Sequence, residues 1–482
     1  MVDLIPWTTF VSLNNLTSAI PFSFNSTSPL FATATAAESG SLVLVGVLLS
    51  LVVIYLASKL VGEICARINL PPVLGELIGG VVVGVSALNL LGFPGADGEI
   101  DSLILTFLQS TAGLTSELTP SVAESISEVI SVLSELGVII LLFEIGLESD
   151  LNELIRVGPQ AALVAAVGVA VPFAIGTTGL IALFNVPVIP AIFAGAALTA
   201  TSIGITAKVL AEIQRLTSKE GQIIIGAAVL DDVLGIIVLA VVASLAKTGE
   251  IEISNIVYLI IGATIFLIGS ILLGRLLSPY FVILVDQLKT RGQLILSSLI
   301  FAFILSYVGA AIQLEAILGA FAAGLVLAET EKRKELEEQL IPIADMFVPI
   351  FFVVVGAKTD VSVLNPFNPE NREGLIIATF LVVVAIVGKI VTGAAVFGQP
   401  GINRLAIGIG MIPRGEVGLV FAGVGSATGI LSESLDAAII VMVILTTFLA
   451  PPLLRVVFQD ADQPEGKVVQ ESKSLSENLD RI

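Results

Sequence analysis

Histidine is absent from the 482 residues of this chain, and cysteine occurs once, at Cys65. The first absence removes the side chain that titrates between pH 5 and 8 and the commonest metal ligand. The second excludes an intramolecular disulfide framework and a cysteine metal cage. Proton chemistry must therefore run on carboxylates and amines. Charge is scarce as well: Asp, Glu, Lys and Arg make up 13% of the chain, against about 25% in soluble domains. What charge there is leans acidic, 41 residues against 22 basic, a net of −19 that argues against nucleic acid as a partner. Hydrophobic residues supply 56% of the chain and the mean hydropathy is +1.03. These proportions predict an all-α polytopic membrane protein whose solvent is the lipid bilayer.

Residues 1–40 contain no Lys or Arg, so they are expected to form an extracytoplasmic segment rather than a secretory leader. Two sequons, at Asn15 and Asn25, match a pattern that is common by chance. Apolar stretches near the length needed to span a bilayer fall at 41–60, 71–92, 134–149, 161–184, 187–207, 222–246, 253–274, 293–312, 314–329, 343–357, 374–397, 403–428 and 435–457. With the N-terminus outside, seventeen of the 22 basic residues fall in cytoplasmic segments. Lys247, Lys358 and Arg372 fall outside, and Lys389 and Arg414 lie within spans. This asymmetry predicts thirteen transmembrane helices in a 41–457 membrane domain with N-out, C-in topology. The polar tail, 458–482, is expected to be disordered and cytoplasmic, and no GxGxxG pattern in it points to a nucleotide-binding domain.

Short motifs recur. Leu74-Gly75 followed by Gly80-Val81-Val82 resembles Leu318-Gly319 followed by Gly324-Leu325-Val326, an offset of 244. Gly146 through Asp150 matches Gly356 through Asp360, an offset of 210. The difference of 34 residues lies in the stretch 93–133, which is acidic and lacks basic residues. There Glu117, Glu124 and Glu128 alternate with aliphatic residues as on a surface amphipathic helix. Seven spans separate each pair of motifs, so the second copy is inverted. That arrangement of inverted-topology repeats belongs to secondary transporters, whose substrate site sits at the midplane.

Four features carry chemistry. Asp231 and Asp232 are adjacent in the span 222–246. A charge at the centre of a bilayer helix costs roughly 2.5–3.5 kcal/mol, and neighbouring carboxylates repel, so one of them must hold a proton or face a cation. Lys389, central in its own span, needs a carboxylate partner. The two aspartates project about 100° apart, which lets one face Lys389 while the other faces a cavity. The stretches Thr199-Ala200-Thr201-Ser202 and Met411-Ile412-Pro413-Arg414-Gly415-Glu416 both interrupt apolar runs, about 214 residues apart. Unwound backbone in a membrane is tolerated only where it is enclosed or lines a cavity. Arg414 and Glu416 are expected to neutralise each other or nearby carboxylates and to hold the broken helix. Glu76, Glu144, Glu148, Asp345 and Asp436 read as structural or interfacial groups.

With these residues placed, the chain resembles the second group of the monovalent cation:proton antiporter superfamily, the bacterial sodium/proton and potassium/proton exchangers. The resemblance rests on Leu70 through Leu77, Thr199-Ala200-Thr201-Ser202, Leu230-Asp231-Asp232-Val233, Leu318 through Phe321, Phe351 through Gly356, Gly388-Lys389 and Pro413 through Glu416. It implies Na⁺ bound at Asp232, with Thr201 and Ser202 close to the ion, and Asp231 paired with Lys389. It implies a homodimer joined through spans 1–3 and 8–10, and a core of spans 4–6 and 11–13 that moves like an elevator. It also implies electrogenic exchange of Na⁺ (with Li⁺ or K⁺ as alternative ions) for protons, no cofactor and no enzymatic activity. The overall look resembles cyanobacterial members, whose plasma and thylakoid membranes are both candidate locations. A K⁺/H⁺ antiporter is the nearest rival, followed by a solute:sodium symporter and a passive channel. An intramembrane aspartyl protease is remote, because its two aspartates must sit on facing helices.

Overall fold

A computed structural model describes residues 29–93, 100, 102–248, 253–361, 371–397, 401–427 and 429–461. Every regular element among them is helical: α1 (Pro29–Arg67), α2 (Pro72–Val83), α3 (Leu103–Thr111), α4 (Thr119–Glu148), α5 (Leu151–Phe184), α6 (Val188–Ala197), α7 (Ile203–Glu212), α8 (Lys219–Thr248), α9 (Ile253–Gln287), α10 (Gln293–Ala311), α11 (Ala316–Ala328), α12 (Arg333–Ala357), α13 (Asn371–Ile390), α14 (Arg404–Gly410), α15 (Glu416–Ala427) and α16 (Glu433–Ala461). The boundaries follow local chemistry. Pro72 opens α2 at a position where its missing N–H is not needed. Asp150 caps α5 by accepting from Asn152 N and Glu153 N, and Asn403 caps α14 through Ala406 N. Asn185, left-handed at φ 53°, ends α5.

Nine described helices are long and apolar enough to cross a membrane, and α2, α6 and α11 are shorter apolar helices. Leu44, Leu48, Val52, Leu56, Leu60 and Ile64 form an exposed apolar stripe along α1. Apolar groups facing outward suit a lipid environment and would be a liability in water. The protein is an integral membrane protein. The stretch 93–133 departs from the surface-helix expectation. The segment carrying Glu124 and Glu128 is the first part of α4, continuous with the predicted third span. Those two glutamates are exposed, while Val122, Ala123, Ile126 and Ile130 on the opposite face join Leu105 and Leu108 of α3 in an apolar cluster. The N-terminal sequons and residues 462–482 of the tail lie outside the described residues.

Helices α1, α2, α4, α10, α11 and α12 pack as one group, and α5, α6, α8, α13, α15 and α16 as another. The repeated glycine motifs make equivalent contacts in the first group. Gly80 of α2 lies against Gly356 of α12, and Gly324 of α11 lies against Gly146 of α4. A methyl group at any of the four would overlap backbone of the facing helix. Gly75 abuts α1 at Val61 and Gly62; Gly319 abuts α10 at Leu305 and Ser306, the same contact displaced by 244 residues. Small residues there let backbones approach closely enough for dispersion to hold the helices together, the main attraction available in lipid.

Candidate ion-exchange site

Asp231 and Asp232 sit near the middle of α8. Both are buried, as is Lys389 near the end of α13. The Lys389 ammonium donates to Asp231 Oδ2 at 3.0 Å, with both side chains fully enclosed. The helical stagger of the two aspartates thus resolves in one direction: Asp231 is the one bound to the lysine. Space for the lysine comes from Gly168 of α5, where a Cβ would stand 3.1 Å from Nζ. Thr392 Oγ1 donates to the Lys389 carbonyl at 2.6 Å, at the turn where α13 tightens into a short 3₁₀ segment.

Two interrupted helices meet beside this pair. The break between α6 and α7 spans 198–202, and that between α14 and α15 spans 411–415. They are stitched directly: Ser202 N donates to the Pro413 carbonyl at 2.8 Å, Thr201 Oγ1 to the Met411 carbonyl at 3.1 Å, and Thr206 Oγ1 to the Gly410 carbonyl at 2.9 Å. Each half-helix end leaves carbonyls or amides without intrahelical partners, and the crossing satisfies several of them.

Arg414 performs the same service with charge. Its guanidinium is fully buried and donates to the carbonyls of Leu198 and Ala200 (2.7 Å for the latter) and, at 3.5 Å, to Thr201 Oγ1. Thr447 Oγ1 in turn donates to the Arg414 carbonyl. These bonds tie Arg414 across the broken helices, while its expected ion pair with Glu416 falls on a side chain outside the described residues. No salt bridge to Arg414 occurs among the described residues. The physical reason is that the exposed carbonyls ending α6 form the negative pole of a helix dipole, and a planar guanidinium can bond two of them at once.

Ser202 occupies the N-cap of α7, where serine ordinarily bonds the helix's own amides, yet its side chain makes no capping bond. Ser202 Oγ and Asp231 Oδ1 are buried oxygens without a hydrogen-bond partner. Thr199, by contrast, spends its hydroxyl on the Ala196 carbonyl at 2.8 Å. Thr201, Ser202, Asp231, Lys389 and Arg414 are therefore brought together around the crossed breaks. Asp232 is the next residue of α8 and is 3% exposed. Glu76 stands apart, accepting from Ser58 Oγ at 2.9 Å. Thr206, Thr392 and Thr447 escaped the sequence reading. Thr446-Thr447, a hydroxyl pair in the apolar run 435–457, was the most visible clue to them.

Comparison with known proteins shows the family. The profile of the family described as sodium/hydrogen exchanger, transmembrane, matches residues 48–459. A high-affinity Na⁺/H⁺ antiporter of Synechocystis, NhaS3, is 70% identical over 441 residues, covering 91% of this chain and 96% of that protein. The Na⁺/H⁺-K⁺ antiporter GerN of Bacillus cereus is 32% identical, over 85% of this chain and 96% of its own. The solved sodium proton antiporter MjNhaP1 of Methanocaldococcus jannaschii shares the fold, with a TM-score of 0.56 at 19% identity over 87% of this chain and 97% of that one. On the profile match and these identities, the chain belongs to the sodium/hydrogen exchanger family, among the monovalent cation:proton antiporters that its motifs resemble.

Proposed function

We propose that this protein exchanges Na⁺ for protons across its membrane, with Asp232 alternately protonated and cation-bound. The observation that carries this reading is the division of labour within the aspartate pair. Lys389 bonds Asp231, and Asp232 is buried one residue on in α8, while the crossing of the two broken helices holds the unbonded Ser202 oxygen. A dehydrated hard cation requires a shell of oxygens. Asp232, Ser202 Oγ and Thr201 Oγ1 would contribute to it. Protonating the carboxylate removes the charge that holds the ion, so proton and cation exclude each other at one group. No cofactor takes part in this chemistry.

Thirteen crossings arranged as two inverted repeats fit the equivalent glycine contacts of α2–α12 and α11–α4. In this reading α1, α2, α4 and α10–α12 form the dimerisation domain. The core of α5–α8 and α13–α16 carries the site past it in an elevator movement, with N-out, C-in orientation. Lys389 releasing its own proton in each cycle would make the exchange two protons per Na⁺, coupled to the membrane potential by about 2.3 kcal/mol per 100 mV for each net charge. K⁺ is the second reading, favoured by the K⁺ named for the Bacillus cereus relative. The 70% identity to a cyanobacterial protein supports a plasma or thylakoid membrane location.

The test is reconstitution into liposomes, with proton flux driven in turn by Na⁺, Li⁺ and K⁺ under imposed membrane potentials. Wild type should exchange Na⁺, and Asp232→Asn should abolish exchange. Retained Na⁺/H⁺ exchange in Asp232→Asn would sink the site assignment, and potential-independent exchange would remove the two-proton cycle.

A further inference from the structure

Two open cavities, about 530 and 400 Å³, enter the molecule at the end where α12 terminates. The larger runs between α2, α12, α15 and α16 down to Gly415 and Thr447. Those two residues adjoin the crossed breaks: a Cβ on Gly415 would stand 2.8 Å from Ser202 Oγ, and Thr447 bonds the Arg414 carbonyl. The smaller lies between the middle of α4, the start of α11, the end of α12 and Leu419 of α15. Asp360, Glu433 and Asp436 line the first, Glu135 and Glu315 the second, and one cation, Lys358, lines both. A wall of carboxylates concentrates cations, and among the described residues lining the two chambers the Lys358 ammonium opposes the five carboxylates.

Lys358 is held, not trailing. Its Nζ donates to Ser131 Oγ of α4 at 3.0 Å and lies 5.3 Å from the centre of the Phe93 ring, a cation–π distance. Ser131 and Phe93 lie at the two ends of the extra acidic stretch 93–133, so that stretch grips the lysine from both ends. No step of the exchange described above requires this residue.

We propose that Lys358 is an electrostatic barrier in the vestibule that monovalent cations must pass and that sets their apparent affinity from this face. The inference rests on the antiport reading. Burial lowers the pKa of Lys358 from the ordinary lysine value, and the charge of Glu135 partly offsets this. The charged form is the barrier, so the barrier falls as pH rises through the lowered lysine value. Glu315, Asp360, Glu433 and Asp436 are the remaining acids of the two walls.

The experiment uses the full chain in liposomes, with Na⁺ presented to each face separately. Lys358→Met should lower the KM for Na⁺ from the vestibule face about fivefold, the order expected for one unit charge acting across a partly enclosed, wet space. Turnover and the KM from the other face should stay unchanged. Lys358→Arg keeps its charge at all accessible pH values, so it should match wild type at pH 7.5 and lack the alkaline fall in KM. The ratio of wild-type to Lys358→Met KM should shrink in high choline chloride, because screening acts on charge and not on shape. Lys358→Gln replaces the methionine variant should that one misfold. An unchanged KM, equal behaviour of the Arg and Met variants, or a ratio insensitive to ionic strength overturns the proposal while leaving antiport intact. Absence of exchange in wild type removes the antiport reading and this one with it.

Discussion

Removing the Lys389 ammonium while keeping its volume, as Lys389→Met does, leaves the Asp231 carboxylate in an apolar span without the donor that meets it at 3.0 Å. Neither side chain of the pair reaches solvent, so water cannot substitute for the lost partner. Breaking a buried ion pair on one side costs about 3–5 kcal/mol, whereas replacing both partners with neutral groups of similar size is often close to neutral. Lys389→Met and Asp231→Asn should therefore each be destabilised by about that amount, and the double variant should recover most of it. The chain carries its own reporter, since Cys65 is its one cysteine and is buried. Labelling of Cys65 by a thiol-reactive fluorophore under graded denaturant follows exposure of the interior. Its open population should rise by about two to three and a half orders of magnitude in each single variant. Additive effects of the two substitutions, or a Lys389→Met variant as stable as wild type, would refute the claim that the pair forms one electrostatic unit.

The same Cys65 assay tests the supports of the crossing. Arg414→Gln loses the charge-assisted bonds to Leu198 and Ala200 and should be destabilised by about 3–6 kcal/mol at 1.5–3 per bond. Arg414→Lys, with one compact ammonium in place of a planar fork, should recover about half. Gly80→Ala and Gly324→Ala both force a methyl into facing backbone and should be destabilised alike, by about 1–3 kcal/mol or more. Gly262→Ala, where a Cβ meets nothing within 4 Å, should be neutral or gain up to about 1 kcal/mol of helix propensity. Unequal effects at Gly80 and Gly324 would weaken the repeat equivalence.

Much of the fold was legible because a bilayer imposes long apolar runs, and the predicted spans fall on helices or half-helices. The two breaks were visible because proline, glycine and hydroxyl residues interrupt runs that otherwise have no reason to stop. The backbone partners of Arg414 were illegible for a definite reason. A sequence displays candidate side-chain partners for a buried cation, and the orphan carbonyls of a distant helix end leave no mark in it. The stretch 93–133 was read as a separate surface helix because its glutamates broke the hydropathy of what is one continuous α4. Thr206, Thr392 and Thr447 were hidden because hydroxyls in apolar helices usually bond their own backbone.

The sequence by itself determined the solvent of this protein, the residues too costly to bury without purpose, and the places where its helices break. Composition and periodicity suffice for these, since each is a property of a short stretch of chain. It also limited proton chemistry to carboxylates and amines. Only the tertiary structure decided which of two adjacent aspartates meets a lysine 158 residues away, which carbonyls hold Arg414, and that Lys358 stands where two acidic cavities share a wall. Helical stagger separates Asp231 from Asp232 by about 100°. Which of those directions faces Lys389 depends on the rotation of α8 against α13, set by contacts all along both helices.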